Sequence, residues 1–168
     1  PVNHKILLQK NKTLSLKTPK NKFKKKFEKE FKIEDNILKI ESIVFNLSKS
    51  KNEIIIKIDG INQIIQIGDG SYVKNNLKNP LPYTKYNNKN IITFGMSEEK
   101  LKKIGTSGGW ISNDSYQIIN YLYETPTSVV YNFTFKEDEL QWDTEVKNSL
   151  QEYVAPQIPL SLKSIKNE

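Results

Sequence analysis

The sequence predicts an all-β domain, an antiparallel β-barrel or barrel-like sandwich, and two observations carry that class. The apolar residues Val129, Tyr131, Phe133 and Phe135 fall at every second position, with Ser128 before them and Asn132 and Thr134 between them, the period of a strand with one buried face. Elsewhere, short apolar runs recur about every 8–12 residues between Gly, Asp and Asn turns, the spacing of a sandwich or barrel. The residues divide into a linker or helix over 1–19, an antiparallel β-domain over 20–155 and a flexible tail over 156–168.

Asn3 to Leu16 reads as a short helix or extended linker, with Asn3 as its cap and Pro19 as its stop. Lys20 to Glu30 is the most charged stretch, and Phe23, Phe27 and Phe31 recur there every four residues, a helical spacing. A basic amphipathic helix for anionic lipid is one reading of it; core-packing aromatics with wet lysines is the other, and the weightier. Phe31 to Ile33 forms a strand, and Glu34-Asp35-Asn36 a turn. Leu38, Ile40 and Ser42 then share one face, whereas Ile43, Phe45 and Leu47 carry the apolar pattern in the opposite phase, which predicts a β-bulge near Ser42 or Ile43.

Ser48 to Asn52 is a polar turn. Ile54, Ile56 and Ile58 make a strand, Asp59-Gly60 a hairpin turn, and Ile64 to Ile67 the return. Asp69-Gly70 turns the chain again before Tyr72-Val73. Asn75 to Asn90, with Pro80 and Pro82, reads as a polar loop, and Ile91 to Met96 as a strand. Ser97 to Ile104 suits a helical turn or a strand equally. Thr106 to Gly109 reads as a turn leading into Trp110, Asn113-Asp114 as a second turn, Tyr116 to Tyr123 as a strand closed by Pro126. Val129 to Phe135, the turn Lys136 to Glu139, and Leu140 to Val146 form a closing hairpin. The segment beyond Pro156 is expected to fray.

Composition narrows the function. No apolar run approaches the ~18–20 residues of a membrane-spanning helix, so no transmembrane segment is expected. The chain has no Cys and a single His, His4, so neither disulfides nor a thiolate or multi-histidine metal site is available, and no cofactor is expected. The net charge of +7 invites a nucleic-acid reading, but every basic residue is Lys. Without the guanidinium fork of Arg, a lysine-rich solvated surface is the better account, and no nucleic-acid partner is expected.

Several short motifs follow one another in a recognisable order: Phe31-Lys32-Ile33-Glu34-Asp35-Asn36, Ile40 to Phe45, Ile67-Gly68-Asp69-Gly70, Gly108-Gly109-Trp110, Asn113-Asp114, Tyr123-Glu124-Thr125-Pro126, Phe133-Thr134-Phe135 and Leu140-Gln141-Trp142-Asp143. In this order, over roughly residues 1 to 160, the chain resembles the C-terminal β-domain that follows the catalytic domain in bacterial serine hydrolases of the β-lactamase-related family. Lys147 and Leu150 stand where that family usually has Asn and Phe. The resemblance implies a non-catalytic accessory domain whose partner is a catalytic domain absent from this chain, on which it packs or whose access it shapes. It also implies a periplasmic or secreted location. The start at Pro1 is then a fragment boundary.

The family's catalytic patterns, Ser-x-x-Lys, Tyr-x-Asn and Lys-x-Gly, occur as Ser48/Lys51, Tyr86/Asn88 and Lys103/Gly105. Ser-x-x-Lys also occurs at Ser71 and Ser97, as expected by chance in so lysine-rich a chain, and Ser48 falls in a turn rather than at the start of a buried helix. No catalytic residue is therefore assigned. The alternative from another class is a free-standing lipocalin-like barrel for a small apolar ligand, lined by Trp110, Tyr121, Tyr123, Glu124, Tyr131 and Trp142. A basic surface-binding module over Lys20 to Lys32 is a third.

Overall fold

The computed structural model describes residues 26–36, 38–77, 84–87, 90–93, 102–123, 127–148 and 160–165. The linker or helix expected over 1–19, His4, Glu124, the prolines at 80, 82, 126, 156 and 159, and the segment Ser97 to Lys100 lie outside them.

Thirteen strands are present among the described residues: β1 (Phe27–Lys32), β2 (Ile40–Leu47), β3 (Asn52–Ile58), β4 (Ile61–Gln66), β5 (Gly68–Asp69), β6 (Val73–Leu77), β7 (Thr84–Asn87), β8 (Asn90–Thr93), β9 (Lys102–Trp110), β10 (Ser115–Leu122), β11 (Thr127–Lys136), β12 (Glu139–Asn148) and β13 (Leu160–Lys163). The first sheet runs β1-β2-β3-β4 and the second β13-β12-β11-β10-β9-β5, with β6 also on β9 and a separate β7-β8 hairpin. All pairings are antiparallel except the two-residue contact of β5 with β9.

The two sheets join along both sides. On one, Ile33 bridges Ser164, Glu34 N donates to Lys163 O at 3.0 Å and Ile165 N to Lys32 O at 2.9 Å. On the other, the Asn75 side chain binds both backbone groups of Gln66. The result is a barrel-like sandwich.

Its inner faces follow from the registers. Phe31, Ile43 and Ile56 lie in one row of the first sheet; Trp110, Tyr116, Phe133, Trp142 and Leu162 lie in one row of the second. Phe45 is the hub between sheets, with its ring centroid 5.0 Å from Phe133, 5.1 Å from Phe135, 5.9 Å from Phe27 and 6.0 Å from Phe31. Mostly edge-to-face rings suit the aromatic quadrupole, and each buried Phe contributes about 2–3 kcal/mol of transfer free energy.

The bulge is where the phase slip put it: the β2–β3 register shifts between Ile40 and Ser42, and Ile40, Ser42, Ile43, Phe45 and Leu47 are all buried. Asp59 and Gly60 both have positive φ (48° and 78°), giving the type I′ turn that matches strand twist.

Four expectations need correcting. Phe27 to Phe31 is strand, not helix; a recurrence of four satisfies a two-residue period as well as a helical turn, and Phe27, Lys29 and Phe31 share the inward side of β1. Thr106 to Gly109 is the interior of β9, not a turn. Its small residues admit close neighbours: a Cβ on Gly108 would lie 2.7 Å from Gln117 O and 2.9 Å from Ile67 Cγ2. The polar loop expected over Asn75 to Asn90 opens within β6, whose Asn75 belongs to a seam, and later contains β7, which pairs with β8 at the strand expected from Ile91. Leu160 to Lys163, expected to fray, pair with β12 and bury Leu162 opposite Trp142.

Candidate functional site

The residues expected to line one ligand site divide between the two faces of the second sheet. Trp110, Tyr131 and Trp142 point inward and are buried; Tyr121 and Tyr123 lie on the outer face, and Glu124 is outside the described residues. Trp110 packs on Phe27, Tyr116 and Phe135, with centroids 5.2–5.5 Å apart, and is part of the core.

Tyr131 and Trp142 are fully buried, with their rings 5.1 Å apart. Tyr131 is directly paired across β11–β12 with Thr144, two residues after Trp142, so three polar atoms enter the interior from adjacent positions: the Tyr131 hydroxyl, Trp142 Nε1 and Thr144 Oγ1. None of them finds a hydrogen-bond partner among the described residues, nor does Gln63 Nε2 on the inner face of the first sheet. Each such orphan costs about 1–3 kcal/mol unless a water or ligand satisfies it. Burial also pushes the Tyr131 phenol well above its ordinary pKa, so it stays a neutral donor.

Nearby on the inner face runs a satisfied polar chain. Asn75 Nδ2 donates to Thr106 Oγ1 at 3.1 Å, and the Thr106 hydroxyl donates to Asn120 Oδ1 at 2.9 Å. Tyr116 OH reaches Asn52 Oδ1 at 3.4 Å.

On the outer face, Tyr121 pairs directly with Gly105, and two further tyrosines close over the space that glycine leaves. Tyr123 places its hydroxyl 3.0 Å and Tyr72 its Cβ 3.6 Å from where a Gly105 side chain would begin. The Tyr72 and Tyr121 rings meet edge to face at 4.9 Å. Tyr72 is 43% and Tyr123 57% exposed. Tyr72 is the member that the sequence reading missed.

The residues of the serine-hydrolase patterns are occupied otherwise. Ser48 Oγ accepts from Lys51 N at 3.0 Å and donates to Lys51 O at 3.1 Å, closing the β2–β3 turn, while Lys51 Nζ pairs with Glu53 at 2.9 Å. Lys103 and Gly105 lie in β9, in the other sheet; Tyr86 is in β7 and Asn88 lies outside the described residues. Among the described residues no group of three His, Cys, Asp or Glu side chains is placed to hold a metal ion, and no helix is long and apolar enough to cross a membrane.

No protein-family model, curated protein or solved structure matches the chain.

Proposed function

We propose that this chain is a non-catalytic β-domain that accompanies the catalytic domain of a β-lactamase-related serine hydrolase, packing on it or shaping access to its active site. The reading rests on the order of motifs in the sequence. One observation supports it: the motif residues are used for architecture. Trp110, Phe133 and Trp142 fall in one cross-strand row of the core, Gly108 admits Ile67 against β9, and Asp114 caps its turn through Ser112 and Ser115. Side chains spent in this way specify a fold rather than carry out a reaction. The test is the coding sequence upstream of Pro1. An open frame with a Ser-x-x-Lys on a buried helix supports the reading, and a start codon or signal peptide directly before Pro1 overturns it.

A second reading, a lipocalin-like barrel for a small ligand, is favoured by the orphaned polar atoms of Tyr131, Trp142, Thr144 and Gln63. Indole and amide N–H groups only donate, and the two hydroxyls can, so the matching ligand is a small, largely apolar molecule bearing an acceptor oxygen. Thermal-shift screening with short aliphatic and aromatic ketones and carboxylic acids tests it. A melting-point rise abolished by Tyr131→Phe/Thr144→Val supports it, and no rise across the set counts against it.

A further inference from the structure

We propose that the outer face of the second sheet around Gly105 is a binding platform for an acidic polysaccharide, with Tyr72, Tyr121 and Tyr123 as the stacking surface and Lys74 and Lys103 as the charge partners. The inference is independent of both functional readings above.

The platform exists because Gly105 lacks a side chain. On the outer face of β9 and its neighbours, Lys74, Gly105, Tyr121, Ser128 and Lys147 form one cross-strand row, and Lys103 lies two residues before Gly105 on the same side. Tyrosine side chains therefore lie over Gly105, with lysines at the margin of the surface they form. Exposed tyrosines clustered on a sheet face are not explained by the core: Phe45, Trp110, Tyr116 and Phe133 fill the opposite side. A tyrosine has an apolar ring and a polar tip, which suits a partner with C–H faces and hydroxyls.

The charges define the partner further. Lys74 and Lys103 are exposed and make no ion pair with any described residue, whereas Lys147, half-buried, is paired with Glu145 at 3.6 Å. Ammonium groups are compact point charges on flexible stems, able to meet isolated carboxylates along a polymer. Reading of nucleic acid draws heavily on the bidentate fork of Arg, which this chain does not have. A pyranose ring stacks its C–H face on tyrosine while its carboxylate reaches a lysine. The expected partner is thus a polyuronate-type chain.

Affinity electrophoresis of the full chain in gels containing polygalacturonate, dextran, polyglutamate or oligo-dT tests this. Retardation by polygalacturonate but not dextran is expected, weakening with added salt. Tyr72→Ala/Tyr123→Ala should reduce affinity about tenfold, the size of an aromatic anchor in an interface. The folded state of that variant is checked by its melt; if it is unfolded, Lys74→Gln/Lys103→Gln must show the loss instead. Absence of retardation, unchanged binding in the folded tyrosine variant, or stronger binding to oligo-dT or polyglutamate overturns the proposal.

Discussion

Asn75 binds the backbone of Gln66 twice: its Oδ1 accepts from Gln66 N at 2.9 Å, and its Nδ2 donates to Gln66 O at 2.8 Å. A side-chain amide here takes the place of a residue in a β-ladder and joins the edge of the first sheet to β6 of the second. Asn75→Ala would leave both Gln66 groups without these partners and break the bond to Thr106. The expected cost is about 3 kcal/mol, read as a lower urea midpoint. Asn75→Asp keeps the acceptor, loses the donor and buries a charge, so it should cost more.

The two buried tyrosines make stability fall in alkali. Burial raises the pKa of Tyr116 and Tyr131, while in the unfolded chain both return to about 10. Above that pH the unfolded state releases protons that the folded state keeps. Stability is therefore complete below pH 10 and is lost as pH rises beyond it, by about 1.4 kcal/mol per tyrosine per pH unit. Tyrosinate absorbance should report these two groups only as the fold melts, and Tyr131→Phe should reduce the slope.

Tyr131→Phe also tests the orphan hydroxyl at neutral pH. In the ligand-free protein, removing an unpaired buried donor is expected to raise stability by about 1 kcal/mol. Thr144→Val should act likewise. A fall in the denaturation midpoint would identify a bound water or ligand at these atoms.

Gly60 and Gly108 should respond differently to the same substitution. At Gly60 an added Cβ has open space, but φ is 78°, so Gly60→Ala is expected to cost about 1 kcal/mol through backbone strain alone. At Gly108 the new methyl group would meet a backbone carbonyl and Ile67, so Gly108→Ala should cost about 2–3 kcal/mol. Chemical melts of the two variants give the comparison.

Much of the fold was legible where local pattern and tertiary environment agree. The alternation of Val129 to Phe135, the Asp59-Gly60 turn and the slip between Ile40 and Ser42 each carry their own signal. Apart from β1, whose four-residue recurrence fits a strand as well as a helix, the misread segments are those with a partner remote in sequence. Nothing local in Val73-Lys74-Asn75-Asn76-Leu77 announces a strand, because Asn75 gains its stability from Gln66 and Thr106. The glycines of β9 looked like turn residues because a close approach by Ile67 leaves no local mark.

The candidate sites followed the same division. Large aromatics could be listed from the sequence, but only register separates Tyr131 and Trp142, facing inward, from Tyr121 and Tyr123, facing out. Tyr72 joins the outer group across β6 and β9, a pairing that sequence spacing does not disclose.

The junction of Ile33 with Ser164 bears on the order in which this protein can acquire its structure during synthesis. A ribosome releases β1 well before β13, whose residues the end of β1 must meet. Until Leu160 to Ile165 emerge, the edge of β12 and the backbone of Lys32 to Glu34 that meet this segment remain bare. Such edges are templates for pairing with other chains. Closure is then a slow event limited by bringing distant segments together, and the nascent domain is vulnerable to aggregation until β13 has emerged.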